Sequence, residues 1–294
     1  MKKEFRIITL ALLLYMPSGA QTFDWWKNLV NWDGSTYWLT YMTTSPKFYG
    51  PNALSIPFIN NGIIDTANYL SATASFHFSK GDKTQNMTLY GNYSPKNSRI
   101  SIDAQWVAHE WFQVTHATKE ERKVYYQGYY TKSTVGDVIA NTTIRLFDKW
   151  RKHIQLAFRL GIRMPSGGGQ SAARYADVTA YWLDFGGAIL FRNPEWKWIN
   201  MFGYYIWQVN AESYGQDDAM MYATGLQWDH KGMRIQGYLS GYDGYKENGD
   251  APLVVRLNLE KKKKNCVYLF RLQKGLHDYK YFTIETGAKF ILGK

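Results

Sequence analysis

The sequence predicts an all-β fold, a transmembrane antiparallel up-and-down β-barrel of about 12 strands. Two observations support this prediction. Apolar side chains recur at every second position of long segments from residue 70 onward, and short and long connections alternate between these segments. Strands with one apolar and one polar face, joined alternately by short turns and longer loops, are typical of barrels in the bacterial outer membrane.

The segment from His153 to Met164 shows the alternation most clearly. Its even positions are all apolar, and its odd positions are small, polar or cationic. A strand needs about 9 to 11 residues to cross a bilayer, whereas strands of soluble proteins usually have about five or six. Arg159 and Arg163 lie on the polar face. If this face lay in the dry core of a soluble protein, each unpaired charge would cost several kcal/mol. We therefore expect one face to contact lipid and the other to line a lumen.

The same pattern identifies further strands toward both ends of the chain. Residues 196–209 are apolar on both faces, residues 266–273 alternate poorly, and residues 109–136 are predicted to form a long extracellular loop. An even number of strands returns both ends of the barrel to the periplasm. A first strand at residues 34–44 would make thirteen, and a second strand hidden within residues 21–68 would raise the number to 14. The predicted strands are residues 70–78, 87–93, 100–106, 138–147, 153–164, 179–191, 196–209, 219–228, 233–242, 253–260, 266–273 and 280–292.

The chain divides into three regions. Residues 1–20 have a basic start, a short apolar run and small residues before Gln21, which predicts a secretory signal peptide. Residues 21–68 are aromatic, rich in proline and irregular, and they are expected to form a lumen plug or to lie at the periplasmic mouth. Residues 69–294 form the predicted barrel. Its last strand has the aromatic C-terminal character that barrel-assembly machinery recognises, although Phe290 is not the terminal residue.

The charge and cysteine content of the chain indicate which partners to expect. The chain has 35 Lys and Arg against 24 Asp and Glu, and its only cysteine, Cys266, excludes an internal disulfide. Export and the scattered charges favour outer-membrane lipid and lipopolysaccharide as partners, with subunits of an envelope complex as a further option, over nucleic acid. The lysines at 261–264 fit a periplasmic turn that faces anionic lipid or the cell wall. Gly167 to Gly169 lack a following lysine and helix, so no phosphate-binding cofactor is expected. His109 with Glu110, and His116 with Glu120 and Glu121, have a non-specific spacing typical of solvated loop residues, so no metal is expected.

Three segments carry a family resemblance. Residues 68–86, 136–150 and 156–190 together are similar to uncharacterised outer-membrane β-barrel proteins of the Bacteroidetes type. These proteins are loosely grouped with the meta-pathway phenol-degradation-like transporters. The resemblance covers roughly half of the chain and implies a barrel of about 12 strands. It implies no catalytic residue and says little about the substrate.

The inward faces of the predicted strands carry more cations than acids. An open lumen of this kind would favour anions. The alternative is a closed interior in which the arginines pair with acids and tyrosines. The candidate lumen-lining residues are Arg145, Arg159, Arg163, Arg234, Arg256, Asp103 and Asp184.

Three functions follow from these expectations. The leading one is a diffusion channel or transporter for small polar or anionic solutes, and the second is a non-conducting structural or accessory barrel of an envelope complex. The third is a lipid hydrolase, because the run from His77 to Ser79 is similar to the His-x-Ser of outer-membrane phospholipase A, with Asn86 placed to orient the histidine. Lys80-Gly81 departs from that pattern, and both side chains face the lumen. We therefore predict that the protein is not an enzyme.

Overall fold

A computed structural model describes residues 24–125, 132–150, 153–207 and 218–292. The predicted signal peptide, residues 1–20, lies outside the described residues. Two short α-helices, α1 (Asp24–Val30) and α2 (His116–Glu121), accompany two 3-10 helices, Trp38–Tyr41 and Gln170–Ala172. In the described part of the chain, no helix is both long enough and apolar enough to cross a membrane.

Thirteen strands form one antiparallel sheet. The three-residue strand β4 only extends the edge of β3, and the other strands close a barrel of 12 strands. The strands are β1 (Tyr69–Ser79), β2 (Asp82–Tyr93), β3 (Ile100–Val114), β4 (Lys132–Thr134), β5 (Val138–Trp150), β6 (Ile154–Met164), β7 (Ala180–Leu190), β8 (Trp196–Trp207), β9 (Asp218–His230), β10 (Met233–Gly244), β11 (Leu253–Lys263), β12 (Cys266–His277) and β13 (Phe282–Ile291).

Pairing between the first and last strands closes the barrel. Antiparallel β1 and β13 stay in register from Tyr69 opposite Ile291 to Phe78 opposite Phe282. Closure leaves no strand edge among the long strands, as a membrane-spanning sheet requires, because lipid cannot satisfy free backbone groups. The predicted all-β barrel of 12 strands is therefore confirmed. Residues 24–68 contain no strand.

Each strand has an apolar outer face and a buried inner face. In β1, burial alternates without a break from Tyr69 to Phe78, and β6 shows the alternation predicted for it. Large apolar side chains exposed on the outside form a belt that only lipid can cover at low free-energy cost. Members of this belt include Leu70, Phe76, Leu160, Phe185, Phe202, Leu226, Leu257 and Phe290.

The two ends of the barrel differ in their connections. At the short-turn end, the fully described connections are residues 94–99, 191–195, 231–232 and 264–265. Lys231 and Gly232 both have positive φ, 44° and 72°, as a tight two-residue hairpin requires. At the long-loop end, the connections include residues 165–179, 245–252 and the segment that holds α2. The alternation of short and long connections is the expected one, with two exceptions at the long-loop end, the tight β1–β2 turn at residues 80–81 and the β12–β13 connection at residues 278–281.

The predicted loop at 109–136 begins later than expected, because β3 continues to Val114. A bulge interrupts the pairing of β3 with β2, where Met87 lies opposite His109 and Thr88 opposite Val107. One extra residue reverses which positions face inward. Glu110 is consequently fully buried in the interior. The bulge concealed this part of the strand from a search for strict alternation.

An arginine in the outer belt tests the membrane assignment. Leu160 is 47% exposed on the outer face of β6. Leu160→Arg is expected to lower the free energy of unfolding by roughly 2 to 4 kcal/mol, because the charge is placed in hydrocarbon. Urea unfolding of the barrel in lipid vesicles measures this loss. The control is Tyr245→Arg, at a 62% exposed loop position, which should leave the unfolding free energy unchanged. Equal effects of the two substitutions would contradict a lipid-facing belt.

Candidate functional site

Residues 42–64, which we term the lumen segment, run through the barrel from the long-loop end to the short-turn end. Near the long-loop end, the backbone N–H of Gly50 donates to the carbonyl of Ala173 at 2.7 Å. Near the short-turn end, the side chain of Asn61 donates to that of Gln227 at 3.0 Å. The chain then turns into β1. The interior is therefore occupied along its length.

The residues before the lumen segment pack at the long-loop end. Trp26 of α1 is fully buried, and its indole N–H donates to the carbonyl of Lys123 at 3.0 Å. The ring of Tyr125 lies 4.7 Å from that of Trp26 and stacks on Trp38 at 5.0 Å. This aromatic group fixes residues 24–41 against the loop that follows α2.

An apolar core fills one side of the lumen. Side chains of the lumen segment pack against the inner faces of β7 to β10, which explains why β8 is apolar on both sides. One face of β8 contacts lipid, and the other contacts the segment. The core includes Met42, Tyr49, Ala53, Leu54 and Ile56 of the segment, with Trp182, Met201, Tyr205, Trp207, Tyr238 and Tyr242 of the wall.

Inward arginines bind the backbone of the lumen segment. Arg256 donates to the carbonyls of Ile56 at 2.8 Å and Pro57 at 2.9 Å. Arg159 donates to the carbonyl of Phe58 at 2.9 Å. The segment forms no strand pairing, so its buried carbonyls need partners of this kind. Two of the predicted lumen-lining residues thus hold the segment in place.

A buried ion pair fixes the segment at Asn60. Arg159 contacts Asp184 at 2.7 Å, and the side-chain amide of Asn60 donates to the same carboxylate at 2.8 Å. Gly186 faces Asn60 so closely that an added Cβ would lie 2.0 Å from the Asn60 carbonyl oxygen. The close approach requires glycine at this position of β7.

The other predicted lumen residues have different surroundings. Arg163 is fully buried and contacts Asp137 at 3.5 Å. Arg234 contacts Asp229 at 2.8 Å, near the short-turn end. Asp103 accepts a hydrogen bond from Asn141 at 2.8 Å. Arg145 is half-buried near the short-turn end, where its backbone N–H donates to the carbonyl of Arg99 at 2.7 Å.

A polar cavity of about 240 Å³ remains on the side of the lumen opposite the apolar core. The lumen segment bounds it on one side, and β1, β2, β3, β11, β12 and β13 form the wall. Small hydroxyl side chains of β1, including Ser71 and Thr73, line this wall. The interior is therefore divided into an apolar half that holds the segment and a polar half that contains open space.

The cavity lining carries excess positive charge. Arg256, Arg271 and Lys289 line it, with Glu285 as the acid among the lining residues. Arg271 contacts Glu285 at 2.6 Å, while its Nε is buried without a hydrogen-bond partner within the described chain. The guanidinium groups of Arg256 and Arg271 lie 4.7 and 4.8 Å from the ring of Phe58. The positive charge of these lining residues suits the cavity to an anion.

A buried charged cluster lies at the long-loop end. Arg174 is fully buried and donates to Glu110 at 2.8 Å, to Asp82 at 2.9 Å and to Thr84 at 2.7 Å. Arg122 also contacts Asp82, at 2.6 Å. The cluster ties the loops that hold Arg122 and Arg174 to strands β2 and β3. We term Asp82, Glu110, Arg122 and Arg174 the loop cluster.

The charge of Arg174 is strongly stabilised. Burial disfavours the charged guanidinium, but the carboxylates of Glu110 and Asp82 outweigh burial, so the pKa of Arg174 is raised above its ordinary value. Asn52 of the lumen segment donates to Glu110 at 2.7 Å and connects the segment to the cluster. The sequence analysis missed these residues, since Arg122 and Arg174 lie in stretches that read as polar loops.

The arrangement around His77 does not match a nucleophile and its base. One ring nitrogen lies 2.6 Å from the side-chain oxygen of Asn86, and the other lies 2.8 Å from the hydroxyl of Thr283. Neither ring nitrogen is left to take a proton from Ser79. Within the described residues, no group of three or more His, Cys, Asp or Glu side chains could hold a metal ion.

A closed barrel with an apolar belt and a polar, partly filled lumen is an outer-membrane β-barrel, which places the chain in the outer membrane. No protein-family model matches the chain, and no curated protein matches it. The COG4313 outer membrane channel from Pseudomonas putida F1 has a similar structure, with a TM-score of 0.59 and 9% identity, over 81% of this chain and 100% of that one.

Two further solved structures are similar at a lower score. The translocator domain of the autotransporter NalP from Neisseria meningitidis gives a TM-score of 0.43 at 11% identity, covering 78% of this chain and 90% of that one. The CymD monoaromatic hydrocarbon channel gives a TM-score of 0.43 at 6% identity, covering 79% of this chain and 90% of that one. The similarity to the Pseudomonas putida channel shows a shared barrel fold.

Removing Arg174 tests the role of the loop cluster. Arg174→Met leaves Glu110 buried without its cation and leaves Asp82 paired with Arg122 alone. This change is expected to cost roughly 3 to 5 kcal/mol of stability. Urea unfolding in lipid vesicles measures the loss, and limited proteolysis should cut the long loops faster. The control is Arg192→Met, which removes an exposed arginine and should have no effect. An unchanged unfolding free energy in Arg174→Met would refute a structural role of the cluster.

Proposed function

We propose that the protein is a diffusion channel of the outer membrane for small polar or anionic solutes, and that the lumen segment acts as a plug that confines passage to the polar half of the lumen. The cavity beside the segment is the observation that carries this proposal. Most of its lining residues carry hydroxyl, amide or charged side chains, and it lies where the apolar core leaves the interior unfilled.

Charge supports the preference for anions. Arg256 of the cavity wall hydrogen-bonds carbonyls, and Arg271 forms an ion pair with Glu285 while its buried Nε has no hydrogen-bond partner among the described residues. Inward arginines and lysines lower the electrostatic free energy of an anion in a narrow pore. The cavity of about 240 Å³ is smaller than the pockets of about 300 to 1,000 Å³ that hold drug-sized ligands, so the solutes are smaller than such ligands.

The similar fold of the COG4313 protein, which is described as an outer membrane channel, supports a channel rather than an enzyme. No catalytic step is therefore part of the proposal. The Bacteroidetes-type grouping and the phenol-degradation link stay predictions from the sequence. A search for genes encoded next to this one would test the phenol link, through the presence or absence of aromatic-ring degrading enzymes.

A second candidate function is a non-conducting structural or accessory barrel of an envelope complex. The dense bonding of the lumen segment favours it, because Arg159, Arg256 and the loop cluster all hold the segment or the loops in one arrangement. Single-channel recording of the purified protein in planar bilayers separates the two functions. A complete lack of current, with the segment in place and displaced, would reject the channel.

Displacing the plug should raise conductance. A side chain at Gly186 would collide with Asn60, whereas at Gly237 it would meet nothing within 4 Å. Gly186→Leu is therefore expected to open larger and more frequent channels in planar bilayers than the wild type shows. Gly237→Leu is the matched control and should conduct like the wild type. Equal conductance of all three proteins would contradict the role of the segment as a plug.

Removing the charge of Arg271 should weaken the preference for anions. Arg271→Gln leaves Glu285 without its cation and lowers the positive charge of the cavity. The ratio of anion to cation permeability, measured from the reversal potential in a salt gradient, is expected to fall several-fold. Arg192→Gln removes an exposed arginine that does not line the cavity and should leave the ratio unchanged. An unaltered reversal potential in Arg271→Gln would place the ion pathway elsewhere.

A further inference from the structure

Five lysines gather at the short-turn end, on the β9–β10 turn, on the last residues of β11 and on the turn that follows β11. We term Lys231, Lys261, Lys262, Lys263 and Lys264 the rim lysines, and all five are exposed. The β9–β10 turn touches the end of β11, since the backbone N–H of Lys262 donates to the carbonyl of Gly232 at 2.8 Å and the ammonium of Lys261 reaches the carbonyl of Lys231 at 3.4 Å. Like charges held this close repel one another unless an anion lies between them.

Three acids near this rim already have other partners, whereas Asp65 accepts a hydrogen bond from the backbone N–H of Ala67. Glu260 contacts Lys289 at 3.0 Å, Asp229 contacts Lys197 at 2.7 Å, and Glu195 contacts His230 at 2.6 Å. In the part of the chain that the structure describes, no carboxylate forms an ion pair with a rim lysine. The positive charge of the rim is therefore available to an external anion.

Strand register places two rim lysines beside the lipid. Alternate residues of β11 face the same side, so Lys261 and Lys263 continue the outward row that contains Leu257. Lys261 pairs laterally with Met233 of β10 and with Tyr268 of β12. Tyr268 is 54% exposed. A lysine between an aliphatic and a tyrosine side chain at the edge of an apolar belt has the position of an interfacial residue.

The next row of the barrel is apolar. Leu259 pairs with Ile235 of β10 and with Phe270 of β12, and all three face outward. A molecule that binds here meets ammonium groups at the rim and hydrocarbon one row further into the belt. This order of groups matches a phospholipid with an anionic headgroup, whereas a soluble anion would not use the apolar row.

We propose that the rim lysines form a binding site for anionic phospholipid, with the phosphate and headgroup on Lys261, Lys263 and their neighbours and an acyl chain along Leu259 and Phe270. The short-turn end faces the periplasm in barrels of this kind, and the inner leaflet there consists of phospholipid. Clustered lysines at a membrane surface attract anionic lipid in proportion to their number. The site is independent of whether the barrel conducts.

The chain contains its own reporter for this site. Cys266 is the only cysteine, it is half-exposed, and it pairs across the turn with Lys263. A bimane fluorophore attached to Cys266 therefore lies at the proposed headgroup position. Brominated phospholipids quench such a fluorophore only on contact, so the quenching compares the occupancy of two lipids directly.

The full-length protein is reconstituted in phosphatidylcholine bilayers that contain brominated phosphatidylglycerol or, separately, brominated phosphatidylcholine at equal mole fraction. Quenching by phosphatidylglycerol is expected to show about a tenfold preference over phosphatidylcholine. The preference should shrink near 1 M salt, where the Debye length falls to about 3 Å. Native mass spectrometry of the unlabelled protein should retain phosphatidylglycerol and lose phosphatidylcholine.

Two fourfold variants with the same change in net charge separate a site from a general charge effect. The first carries Lys231→Gln, Lys261→Gln, Lys263→Gln and Lys264→Gln, and it is expected to lose the preference. The matched control replaces four exposed lysines of the long-loop end by Gln and should keep it. These control positions are Lys80, Lys83, Lys246 and Lys274. Heat-modifiable migration in gels shows that both variants are folded.

Three results would overturn the proposal. Equal quenching by the two brominated lipids in the wild type would show that no preference exists. Equal loss of preference in both fourfold variants would assign the effect to net charge rather than to the rim. Salt-sensitive binding of anionic cell-wall fragments to the rim, without any lipid preference, would assign the lysines to the cell wall.

Discussion

The interior volume of a closed barrel of 12 strands is the constraint on which the rest of the structure depends. Side chains alone fill a barrel of about eight strands, and a barrel of about 16 leaves a channel. This barrel lies between these cases, and residues 42–64 occupy the difference. Their apolar side chains need a matching wall, which β7 to β10 supply with residues such as Met201 and Trp207. The two-sided apolar character of β8 follows from this requirement.

The segment also determines what the inward arginines do. An unpaired chain inside a barrel exposes carbonyl groups, and Arg159 and Arg256 bind three of them. Some of the positive charge of the lumen is therefore used for structure. Arg271 and Lys289 line the polar half that the segment leaves open. The filling of the lumen and the proposed preference for anions thus both follow from one asymmetric packing arrangement.

Sequence periodicity predicted the barrel because lipid imposes a strict alternation on outward side chains, as β6 shows. It could not predict the interior. The single bulged residue in β3 shifts Glu110 inward, and Arg174 meets Glu110 and Asp82 from 64 and 92 positions away. No local pattern contains such pairings. The path of residues 42–64 also has no periodic signal, although prolines and an aromatic composition marked the region as irregular.

The path of the lumen segment has a consequence for assembly. The segment enters β1 at the short-turn end, while its other end is fastened at the far mouth by the aromatic group around Trp26. If the barrel closed first, this aromatic group would have to pass through the whole length of the lumen. Wrapping the sheet around a seated segment avoids that obstacle. In that order of assembly, the pairing of β1 with β13, which joins the two ends of the sheet, forms last. The topology therefore determines the order of the folding steps.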